Sequence, residues 1–130
     1  MRSYPELEDK GPVIGGYRLT LLTSSRECGA GDPVRVIHIC ESMAPDRPLY
    51  VMGPKPVLGE YVDDEPATDP APDTETPLAP ASYDGRVAGG PGIDPNYDVT
   101  EYRFETPGRH TIQWRLGRFA SNVLAIEVTP

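Results

Sequence analysis

The 130-residue chain is predicted to fold as an all-β protein, an antiparallel β-sandwich of about seven strands. Three observations predict it. Apolar and polar residues alternate in four separate stretches, as in half-buried strands. Glycine and proline, 13 and 16 residues, stand between the apolar stretches and supply the turns. No stretch sustains the 3.6-residue period of an amphipathic helix. Runs of short strands without helices pack sheet on sheet. The length suits one domain with a real core. The expected boundaries are a polar tail over 1–12, a single β-sandwich domain over 13–130, and a flexible insertion over 63–96 within it.

Taken in order, "GYRLTLLTS" (16–24) places Tyr17, Leu19 and Leu21 on one face and Arg18 and Thr20 on the other. "ECGAGDP" (27–33) is turn chemistry. "VRVIHICES" (34–42) is apolar on both faces, as a central strand is. "MAPDRP" (43–48) reads as a loop. "LYVMG" and "PVLGEYV" (49–53 and 56–62) are short β-type runs around "GPKP". Pro54 and Pro56 cannot donate ladder hydrogen bonds, which puts this hairpin at a turn or a sheet edge. Residues 63–81 offer almost no apolar surface to offset the entropy of ordering, so disorder is expected there. "SYDGRVAGGPGI" (82–93) carries Tyr83, Val87 and Ile93 and has something to pack. In "YDVTEYRFET" (97–106) Tyr102 and Phe104 share a face. In "RHTIQWRLG" (109–117) His110, Ile112, Trp114 and Leu116 do. In "SNVLAIEV" (121–128) Leu124, Ile126 and Val128 do. "TPGR" (106–109) supplies a Pro-Gly turn between the first two of these.

The stretch "FETPGRHTIQWR" followed by "SNVLAIEV" resembles the closing hairpin of bacterial immunoglobulin-like or fibronectin-III-like sandwich domains, and "AGDPVRVIHI" is similar to their second strand. The resemblance covers about forty residues. It implies an immunoglobulin-like β-sandwich and, as a fold alone, no particular activity. His110 stands where Tyr is usual at the first inward position, and the inter-sheet cysteine pair of antibody domains is missing.

The formal net charge is −8. Residues 60–98 hold ten acidic residues and one Arg, so the rest of the chain is close to neutral. An acidic protein lacks the basic patch that nucleic acids and anionic membranes require, so neither is an expected partner. The N-terminus has no apolar core of a signal peptide, and no apolar run is long enough to span a bilayer. The expected location is cytoplasmic. Ten Arg against two Lys, with abundant Pro, Gly and Ala, points to a GC-rich bacterial genome. If 33–41 is extended, Cys40 is carried beyond the reach of the four residues that separate Cys28 from Pro33, so no intrachain disulfide is expected. Two free thiols fit a reducing compartment.

Three candidate sites follow. His38 and Cys40 share a strand face, and His110 would face them from the opposite sheet. A thiolate with two imidazoles suits Cu or Zn, with Met43 or Met52 as an added thioether, and a Cys–His pair is also a nucleophile with its base. Core packing is the preferred reading, because cysteine is a small buried apolar group and the spacing matches no zinc pattern. "YVDDE" (61–65) and "DPNYD" (94–98) offer carboxylates of calcium type but no spaced loop array. Tyr50, Met52 and Tyr61 in the 49–62 stretch are residue types favoured at protein contacts. "GGPG" (89–92) lacks the Lys and helix of a phosphate loop, and no hydrolase or metalloprotease signature occurs, so no cofactor is expected. The expected function is a non-catalytic accessory or binding module that recognises a protein partner through a sheet edge or the 49–62 hairpin. The alternatives are a metal-binding sandwich using His38, Cys40 and His110, and a small enzyme with a pocket between the sheets under residues 82–96.

Overall fold

The computed structural model describes residues 10–47, 49–51, 55–71 and 86–130. Among them the chain is all-β, with no helix. The strands are β1 (Val13–Ile14), β2 (Tyr17–Leu22), β3 (Glu27–Gly29), β4 (Pro33–Ser42), β5 (Leu49–Val51), β6 (Glu60–Val62), β7 (Glu65–Pro66), β8 (Arg86–Ala88), β9 (Gly92–Asp94), β10 (Thr100–Arg103), β11 (Gly108–Leu116), β12 (Phe119–Ala120) and β13 (Leu124–Thr129). They number more than the seven expected because several are two- or three-residue pieces, which lack the length for visible alternation.

One sheet runs β1-β2-β4-β10, with β9 also on β4. The other runs β3-β13-β11-β6-β7, with β12 on β11. β5 and β8 form a separate pair. β3 lies parallel to β13, and the other ladders are antiparallel. The core between the two sheets collects Leu19 and Leu21 from β2, Val34, Val36 and Cys40 from β4, Ile112, Trp114 and Leu116 from β11, and Leu124, Ile126 and Val128 from β13. These are the alternating positions read from the sequence. The side chain of Asn122 ties the sheets at one end: its Oδ1 accepts from Leu21 N at 2.7 Å and its Nδ2 donates to Leu21 O at 3.2 Å.

Three expectations need correction. Thr20 was expected on a solvated face, but it is fully buried and its hydroxyl accepts from Gly11 N, because the segment before β1 crosses over it. Residues 49–62 are not a hairpin: β5 pairs with β8, whereas β6 pairs with β11 and β7. The insertion is not uniformly loop. Asp63 and Asp64, both at positive φ, make the two-residue turn of a β6–β7 hairpin. Residues 92–94 add a strand to β4, and 86–88 pair with β5. Residues 72–85, including Tyr83, lie outside the described residues.

Candidate functional site

β4 answers to two neighbours along one edge. β9 pairs with residues 40–42, and β10 pairs with 33–36. Residues 37–39 of β4 face five chain residues, 95–99, that leave the ladder between those two strands. The excess chain leaves the ladder beside His38, and Tyr97 within it bridges to Lys55.

His38 is fully buried, and its Nε2 lies 2.5 Å from Oε2 of Glu60, which is also fully buried. Glu60 arrives from the opposite sheet, on β6. Gly59 sets its approach: with φ at 73° it takes the left-handed turn, and a Cβ there would stand 2.0 Å from the Arg115 carbonyl oxygen. The other carboxylate oxygen of Glu60 accepts from Thr100 Oγ1 at 2.6 Å and from Tyr102 Oη at 2.5 Å. Thr100 and Tyr102 are alternate residues of β10, so one strand face supplies both donors. Burial alone would raise the Glu60 carboxyl. The hydrogen bond and charge of His38, with those of Thr100 and Tyr102, outweigh it and hold the group below its ordinary value. The Nδ1 of His38 has no hydrogen-bond partner. Trp114 stands edge-on to the His38 ring at 5.1 Å between centroids, and its Nε1 donates to Leu58 O.

A second buried pair lies on the other side of Trp114. Lys55 Nζ is in ion-pair contact with Asp94 Oδ2, and the two residues are 2% and 6% exposed. Asp94 lies directly across β4 from Cys40. Tyr97 packs edge-on to Trp114 at 4.8 Å and lies under the Lys55 ammonium at 4.3 Å. Burial, reinforced by Asp94, pushes the Cys40 thiol up to about 12, against a smaller opposing effect of Lys55. Burial also raises the phenols of Tyr97 and Tyr102. At neutral pH these three groups stay protonated. Cys40 is therefore neither a ready nucleophile nor a ready metal ligand.

The alternative metal triad does not converge. His110 lies four residues from Trp114 along β11, roughly 13 Å at 3.3 Å per residue. There it stacks on Phe104, with Nδ1 2.7 Å from Asp63 Oδ2 and Nε2 2.7 Å from Thr106 O. Two acceptors on two ring nitrogens favour the imidazolium, so the group is raised from its ordinary value by Asp63 first and Thr106 second. His38 and Cys40 do share the inner face of β4. Among the described residues no three His, Cys, Asp or Glu side chains are grouped to hold a metal ion. Three of the carboxylates proposed for calcium are engaged: Asp63 with His110 and Thr111 N, Asp64 with Arg115, Asp94 with Lys55 and Asn96 N. Both cysteines are free thiols. Of the expected contact residues, Tyr61 is half-buried on β6 beneath the Arg115 guanidinium at 4.2 Å. Tyr50 pairs through its backbone with Val87, and Met52 lies outside the described residues.

Sequence reasoning missed Glu60 and Lys55 and read Asp94 only as a calcium-type carboxylate, because charged residues are rarely buried. The available signal was their setting: Glu60 stands among Leu58, Tyr61 and Val62, and Lys55 stands between two prolines. Among the described residues no helix is long and apolar enough to cross a membrane. The chain matches no protein-family model, and neither the curated proteins nor the solved structures contain a significant match to it.

Proposed function

We propose that the chain is a non-catalytic, immunoglobulin-like β-sandwich module that recognises a protein partner at the β10 edge of its first sheet. The observation that carries this reading is an apolar row on the outer face of that sheet. Leu22 of β2 lies opposite Ile37 of β4. Val99 immediately precedes Thr100, the partner of Val36, where the chain leaves the β4–β10 ladder next to Ile37. Ile37 and Val99 are 44% and 57% exposed, and Leu22 is half-buried. The Arg35–Glu101 ion pair borders the row. Among the described residues no strand pairs with the far edge of β10. An extended segment of a partner fits such a place: backbone hydrogen bonds to the edge, with apolar side chains on the adjoining row.

The interior supports the same reading. Among the described residues His38 is paired with Glu60, which also accepts from Thr100 and Tyr102, Lys55 is paired with Asp94, and the Cys40 thiol is protonated, so these buried groups are turned to one another rather than to a substrate. The test is photo-crosslinking in cell extract from a reporter at position 37, compared with one at position 109 on the other sheet. The reading expects a discrete protein adduct at 37 that Val99→Asp abolishes. Equal labelling from both positions, or an adduct insensitive to Val99→Asp, rejects it.

A further inference from the structure

We propose that Lys55 and Asp94 are the two halves of an intramolecular isopeptide bond that the folded chain forms by itself. Nζ of Lys55 already touches Oδ2 of Asp94 in the interior. A nitrogen in hydrogen-bond contact with a carboxylate oxygen stands about 3.5 Å from the carboxyl carbon, at the outer limit of near-attack distance, and swings above the carboxyl plane to attack. Both partners are held from their backbones. Lys55 N donates to Asn96 O at 2.9 Å, and Asp98 N donates to Lys55 O at 2.8 Å, so the lysine is clamped on both sides of Tyr97. Asp94 is fixed by its pairing with Cys40 in the β4–β9 ladder. Asn96 N donates to Asp94 Oδ1 at 3.0 Å, the oxygen that Lys55 does not hold. That donor is placed for the oxygen that gains charge when the carboxyl carbon becomes tetrahedral.

The step balances without any co-reactant. Burial penalises an ammonium and a carboxylate relative to the neutral amine and acid. A proton passes from Nζ to Oδ2. The amine attacks Cγ, and a new C–N bond forms while Asn96 N–H holds Oδ1. The C–Oδ2 bond then breaks, and the departing oxygen leaves as water with the two protons the nitrogen has given up. The products are one amide and one water. Amide condensation is disfavoured between separate molecules in water. Groups fixed in near-attack geometry act at effective concentrations of about 10⁵–10⁸ M, which reverses that balance. The product also replaces a buried ion pair with a neutral amide, removing a desolvation cost. The bond would close residues 55–94 into a ring and fasten the base of the acidic insertion to the sandwich.

The experiment is intact-mass spectrometry of the full chain, denatured after folding and prolonged incubation at neutral pH, followed by proteolysis and fragment sequencing. The expected result is a mass lower than that of the sequence by one water, with Lys55 and Asp94 recovered in one branched fragment. Lys55→Arg keeps a cation beside Asp94 and should restore the full mass. Wild-type protein at its full sequence mass overturns the proposal. So does a one-water deficit that persists in Lys55→Arg, which would place the dehydration elsewhere.

Discussion

Replacing Glu60 by Ala should be among the most damaging single changes the chain can suffer. The carboxylate accepts from His38, Thr100 and Tyr102, and it is fully buried. Removing one member of a buried charge-bearing pair costs about 3–5 kcal/mol. Two orphaned hydroxyls raise this by about 1 kcal/mol rather than by two full hydrogen bonds, since the three donors share one acceptor group. The expected loss is about 4–6 kcal/mol, a large part of the ~5–15 kcal/mol that holds a domain folded. For a chain of this length that lowers Tm by roughly 12–25 °C. Glu60→Gln keeps the shape and one accepting oxygen but turns an amide N–H₂ toward a donor, so about 2–3 kcal/mol should be lost. Urea titration read by Trp114 fluorescence, with the slope compared between variants, measures both. A Glu60→Ala loss below ~1.5 kcal/mol, or equal losses for Ala and Gln, would show that the carboxylate does not organise the interior. The pH dependence follows with its sign. The folded value of Glu60 lies below the ordinary 4.5, so its contribution is complete above that pH and is lost as pH falls through the folded value.

Three further outcomes are expected. His110 is raised above 6.5, so its contribution is present below that pH and is lost as pH rises through the folded value; stability curves of wild type and Asp63→Asn should converge at high pH, and identical curves throughout would refute the pairing. A disulfide reagent at neutral pH should modify half-exposed Cys28 and spare Cys40 until denaturant is added, and fast modification of both in the native state would contradict the buried thiol. Asn122→Ala should cost about 2–3 kcal/mol by urea titration, since it orphans both backbone groups of Leu21, and a neutral result would remove Asn122 as the tie between sheets.

The sandwich was legible where strands are long enough to alternate. Leu19 and Leu21, Val34 and Val36, Ile112, Trp114 and Leu116, and Leu124, Ile126 and Val128 all lie inside, at the positions their spacing indicates. His38 and Cys40 were legible as one inner face, though not what they meet there. Partners such as Glu60, Asp94 and Lys55 are set by pairings between distant segments, which alternation does not encode. The 49–62 stretch shows the same limit: β5 and β6, with eight residues between them, enter different sheets, because β5 pairs with β8 and β6 with β11. Thr20 shows it at the surface, where a pattern reports a face but not what later covers it.

The most direct test of the account is a long-range nitrogen–proton NMR spectrum of the His38 imidazole, recorded alone and then with Zn²⁺ or Cu⁺. The claim is that His38, Glu60 and Cys40 form a closed structural interior and that recognition lies on the outer face. It predicts a proton held on Nε2 toward Glu60 and no change in the His38 and Cys40 resonances when metal is added. A metal-dependent shift of both, or a His38 ring exchanging freely between tautomers, would contradict it.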